Sequence, residues 1–134
     1  MNDYTEVLFL VGRVLFGGYF VMSGLNHFMK MEMLAGYSQS KSVPIPKVAV
    51  AVSGLLLLLG GLGVLTGAYV GWAVLALTLF LVPVSFKMHA FWAISDPMAR
   101  MGDMTNFMKN MALLGAALML LMVPGPWPFL LLGF

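Results

Sequence analysis

"KVAVAVSGLLLLLGGLGVLTGAYVGWAVLALTLFLVPVSFK", Lys47 to Lys87, contains no Asp, Glu, Lys or Arg between its two terminal lysines. A hydrocarbon core of about 30 Å is crossed by roughly 20 helical residues at about 1.5 Å each, so this stretch holds two crossings. The "TGA" at 66–68 is the turn between them, and it predicts a tight hairpin with spans over 48–65 and 69–86. Pro46 suits the first turn of the helix it opens.

Working outward, the whole chain has the same character. Of its 134 residues, 61% are hydrophobic and only 9% charged, with a mean hydropathy of +0.97. A soluble domain carries about 25% charged residues, so the composition specifies an integral membrane protein in contact with the bilayer. The length allows a single domain, residues 1–134. A net charge of +2 gives no reason to expect nucleic acid. The absence of cysteine removes disulfides and thiolate chemistry. "MNDYTEVLFLVGR" is acidic ahead of its apolar run and lacks the basic start of a cleavable signal, so that run is expected to be retained.

Two further spans are predicted, over 7–28 and 107–123, the last stopped by "PGPWP". The expected fold is therefore all-α, a bundle of four transmembrane helices. The tail "FLLLGF" is too short to cross again and is expected at the interface or against the bundle. Lys30, Lys41 and Lys47 fall in the first long loop; Lys87, Arg100 and Lys109 fall in or beside the second. The positive-inside rule then puts both loops in the cytoplasm and both termini outside, in a multi-pass protein of the cell (inner) membrane. Trp72 and Trp127 are expected at the outer boundary and Trp92 at the inner one.

Asp96-Pro97 reads as an N-cap followed by proline at the first helical position, opening a short amphipathic helix in the second long loop. Met101, Met104, Met108 and Met111 share one side of it, and Asp103, Asn106 and Asn110 the other. Thioethers suit Cu(I), but a polar helix face without cysteine is a poor metal site, and no metal is expected. The stripe reads as a surface lying at the interface, covering the bundle or docking a partner.

Arg13 is the charge placed well inside a predicted span, at a cost of about 2.5–3.5 kcal/mol on insertion scales. Either it snorkels outward to Glu6, Asp3 or lipid phosphate, or it is buried against a backbone carbonyl or a ligand oxygen. Gly17, Phe20, Gly24 and His27 lie within about 40° of it on the same helix face. Gly60 and Gly61 come to its depth from the second span. Such small residues permit close helix packing and equally a cavity for a lipid-like ligand. His27 and His89 end the first and third spans on the same side, suited to proton exchange. This strip and His89 form the candidate ligand site.

"GRVLFGGYFVMSGLNHF", "GYSQSKSVPIPK", "SGLLLLLGGLGVLTG", "HAFW..SDP" and "NFMKNMALLGAALML" occur in an order and spacing that resemble the DoxX family. The resemblance implies a four-helix membrane fold and a role beside quinone-linked redox enzymes such as thiosulfate:quinone oxidoreductase. More distant relatives resemble chaperones or cargo receptors. The positions it marks are Arg13, Asn26, His27, Pro44, His89, Phe91, Trp92, Lys109 and Asn110. Many members carry a glutamate in the second span, where this chain has "LLLLLGG". Two functions are thus expected. The first is a membrane subunit that binds a quinone or similar ligand, with a partner protein supplying electrons. The second is a non-catalytic scaffold, chaperone or binding protein docking partners on Met101, Met104, Met108 and Met111; a redox protein or a second copy of the chain is the partner expected.

Overall fold

The structure, a computed structural model, describes residues 1–131. It contains α1 (Asp3–Met29), α2 (Met31–Ser40), α3 (Pro46–Thr66), α4 (Val70–Met88), a 3-10 turn at Phe91–Ala93 and α5 (Pro97–Leu120). Local chemistry sets the boundaries. The Asn2 side chain accepts from the Thr5 N–H at 3.0 Å, and Asp3 and Glu6 meet the positive end of the α1 dipole. Asp96 accepts from the Ala99 N–H at 2.9 Å, with Pro97 following, as its sequence predicts. Gly67 ends α3 at φ 78°, a left-handed conformation that glycine adopts without a Cβ clash.

Among the described residues, three helices are long and apolar enough to cross a membrane: α1, α3, and α4 with the turn that follows it. Their outward faces are apolar: Leu8 and Leu15 of α1, Leu59 of α3 and Trp72 of α4 are 69, 70, 57 and 72% exposed. Lipid is the solvent that suits such faces. This is a multi-pass membrane protein. α5 is not among the three, because Asp103, Asn106, Lys109 and Asn110 make its first half polar. The fourth span expected over 107–123 is therefore part of a longer, half-polar helix that stops at Leu120.

Two loop expectations change. The second long connection has no separate amphipathic helix: the methionine-bearing residues are the first turns of α5 itself. The first contains a helix, α2, that the sequence did not announce.

In the bundle α1 packs on α3, α3 on α4, and α4 on α5, while α2 lies against α3. The core holds Phe20, Leu57, Val64, Leu77 and Leu81, and Trp127 joins them. Trp127 was expected at the membrane boundary but is 4% exposed, its indole N–H donating to the Val123 carbonyl and its ring edge-on to Phe9. The most extensive contact is the antiparallel seam of α1 with α3. A Cβ on Gly17 would lie 2.8 Å from the Gly61 carbonyl oxygen, and one on Gly24 would lie 2.9 Å from that of Gly54. Gly60 turns the other way, with Leu77 of α4 in the space a side chain would take. These glycines pack helices together and leave no room for a ligand.

Candidate functional site

The predicted strip on α1 divides into two unrelated ends. At one end Arg13 is 1% exposed. Its Nε donates to the Val64 carbonyl at 3.2 Å and its Nη2 to that of Leu65 at 2.9 Å. Nη1 donates to the Pro128 carbonyl, and Nη2 reaches that of Phe129 at 3.4 Å. The rings of Phe9 and Trp127 lie 5.8 and 5.5 Å from the guanidinium carbon.

Val64 and Leu65 belong to the last turn of α3, whose final carbonyls have no partner within the helix and carry the negative end of its dipole. All four are met: Gly63 by the Gly67 N–H, Val64 and Leu65 by Arg13, and Thr66 by the Leu131 N–H. A helix end thus replaces the missing carboxylate. The described part of the tail, to residue 131, packs back on the bundle; 132–134 lie outside the described residues. Arg13 does not snorkel: its guanidinium is held by these carbonyls.

The other end lies fourteen residues on, about 21 Å along α1. Here α1 and α4 finish, α3 and α5 begin, and α2 covers the gap. They line a half-open cavity of about 330 Å³, within the range of small-molecule sites. Phe20, Val50, Phe80, Leu81 and Leu113 give it apolar walls. His27, Ser38, His89, Lys109 and Asn110 add polar groups. Pro83, also in the wall, cannot donate to the Leu79 carbonyl one turn back. Of the predicted site residues, Phe20, His27 and His89 meet at this cavity, whereas Arg13, Gly17, Gly24, Gly60 and Gly61 do not line it.

Behind His89 stands a polar cluster. Asp103 of α5, 9% exposed, accepts from His89 Nδ1 and from Lys41 Nζ, each at 2.9 Å. Burial works to raise the Asp103 carboxyl, but hydrogen bonds from His89 and Lys41, and their charge, outweigh it and hold the group below the ordinary carboxylate range. The hydrogen bond to Asp103 holds Lys41 above the ordinary lysine value, against its own burial. Three segments distant in sequence are joined here: the turn after α2, the end of α4 and the start of α5. No group of three His, Asp or Glu side chains is placed to hold a metal ion among the described residues.

Asp103, Lys41 and the burial of Asn110 were not singled out by the sequence. A signal existed for α5: its buried residues Asp103, Asn110 and Ala117 are spaced by seven, opposite exposed Met101, Met104 and Met108. Met111 is only half-buried. Lys41 carries no such signal, since its partner is 62 residues away.

Helices with lipid-facing apolar surfaces around a partly polar internal cavity define a small helical membrane protein. The profile of the DoxX family matches residues 8–90, more than half of the chain, and the protein belongs to that family. No curated protein and no solved structure matches it. The match ends before α5, so what Asp103, Lys109 and Asn110 contribute rests on geometry.

Proposed function

We propose that the protein is a membrane subunit that holds a quinone or similar lipid-like molecule at the His27 and His89 end of the bundle and serves a quinone-linked redox system. The observation that carries this reading is the cavity itself. Its apolar walls suit an isoprenoid or acyl body, and its polar groups suit a head bearing oxygen. His89, oriented by Asp103, is the group best set to exchange a proton with such a head. In this reading a partner protein supplies or takes the electrons.

In this reading α5 makes the fourth crossing of the inner membrane, with its polar first turns at the cytoplasmic surface. Six of the seven basic residues gather at that end of the helices, which supports a cytoplasmic cavity and outer termini by the positive-inside rule. Mass spectrometry of the organic extract from protein purified in mild detergent tests the ligand. A quinone enriched over bulk lipid is expected, and its loss in Ser53→Phe, which fills the cavity from α3, ties it to the site. An extract matching bulk lipid in both samples overturns the reading.

One observation favours a second reading. Met98, Met101 and Met108 are 81, 60 and 57% exposed on a helix whose other side is buried. A protein partner docked there is the scaffold alternative. Its mark is a co-purifying protein lost on Met101→Ser with Met108→Ser, without change in small-molecule content.

A further inference from the structure

Three polar groups face the cavity with fixed or missing partners. The Asn110 side chain is 7% exposed, lines the cavity and meets no protein hydrogen-bond partner among the described residues. Its amide atoms are open to the cavity, so a ligand there can supply hydrogen bonds that the protein does not.

His27 and His89 carry more specific information. His27 Nδ1 lies 2.8 Å from the Ser23 carbonyl oxygen. A carbonyl only accepts, so Nδ1 bears the proton, and in the neutral ring Nε2 is left as a bare acceptor. His89 Nδ1 lies 2.9 Å from an Asp103 carboxylate that also receives the Lys41 ammonium. An ionised carboxylate only accepts, so Nδ1 again bears the proton, and in the neutral ring Nε2 is an acceptor. Two imidazoles on the cavity wall therefore offer lone pairs, each locked by its own backside hydrogen bond. Asn110 and the Ser38 hydroxyl can donate or accept, and Lys87 and Lys109, also in the wall, donate to the oxygen lone pairs that quinol and quinone both carry, so none of these discriminates.

The geometry points to a site that selects the hydroxyl-bearing, hydrogen-bond-donating form of its ligand, a quinol or phenol head, over the dicarbonyl quinone. A quinol gives one O–H to each ring it reaches. A quinone turns carbonyl lone pairs toward the imidazole lone pairs and leaves both acceptors unpaired. Mismatch of this kind is discriminated far more sharply than a change of apolar bulk. The inference rests on the proposed reading of the cavity as a site for a quinone-like molecule, and it adds which redox form is held.

The full-length protein in lipid nanodiscs, kept anaerobic at about pH 8 where a free imidazole is neutral, provides the test. Three probes are compared by mass spectrometry against protein-free nanodiscs: decylubiquinone, its reduced quinol, and the quinol dimethyl ether. The ether keeps the ring of the quinol but has no O–H to give. Retention of the quinol is expected to exceed that of the quinone and of the ether by about tenfold or more. His27→Gln and His89→Gln, whose amides donate as readily as they accept, are expected to narrow the gap. Quinone or ether held as well as quinol overturns the selectivity and leaves the proposed ligand class standing. Retention of none of the three above protein-free discs overturns both.

Discussion

A guanidinium carries five N–H donors in a planar fork, and three nitrogens of Arg13 reach four carbonyl oxygens from two segments. Arg13→Ala orphans the α3 carbonyls and is expected to cost about 3 kcal/mol of stability, read as a lower melting temperature in detergent. Arg13→Lys should recover only part of this, because an ammonium donates from one point. Neither is expected to change what the cavity retains, since its polar end at His27 is about 21 Å from Arg13 along α1. At the cavity end, titration separates folded from unfolded chain. The Asp103 carboxyl is lowered by folding, so its contribution is present above the unfolded value and lost as pH falls through the folded one. Lys41 is raised, so its contribution is present below the unfolded value and lost as pH rises through the folded one. Asp103→Asn is therefore expected to lower stability by about 2 kcal/mol near neutrality. The difference from the parent should shrink below about pH 4, as melting curves across pH will show. The partners of Arg13 were half legible: with no carboxylate in any span, a carbonyl was one of two possible acceptors. Which carbonyls accept was not legible, because they arrive from residues 51 to 116 positions further along the chain.

At the scale of helices, the glycine seam gives a matched pair of neighbours. A Cβ on Gly17 meets the α3 backbone at 2.8 Å, whereas one on Gly18 meets nothing within 4 Å. Gly17→Ala is expected to separate α1 from α3 and lower the melting temperature; Gly18→Ala should be neutral or stabilising by up to about 1 kcal/mol. The α3–α4 hairpin was fully legible, since 39 uncharged residues interrupted at "TGA" admit no other helical layout in a membrane. α2 was not, because "MEMLAGYSQS" is short and mixed, and its helix is fixed by packing on α3 rather than by its own periodicity. α5 was legible as a start and an end, through Asp96-Pro97 and "PGPWP", but not as one continuous rod, because its polarity changes halfway.

For the molecule as a whole, the lack of cysteine makes orientation accessible to single engineered thiols. Cysteines at Met33 and Met98 are expected to label from the cytoplasmic side, and cysteines at Asn2, Tyr69 and Pro126 from the opposite side. Labelling of Pro126 together with Met98 would remove the fourth crossing. The paired ends of the bundle also bear on how the chain is made. Arg13 enters the membrane with the first helix, yet Pro128 and Phe129 are synthesised 115 and 116 residues later. Until then the charge has only the end of α3 to lean on. The buried cation therefore works as a completion mark: a chain halted after Leu120 presents an incompletely paired arginine inside the bilayer. Such a product is expected to be cleared faster than full-length protein in a pulse–chase, and Arg13→Met should slow its clearance.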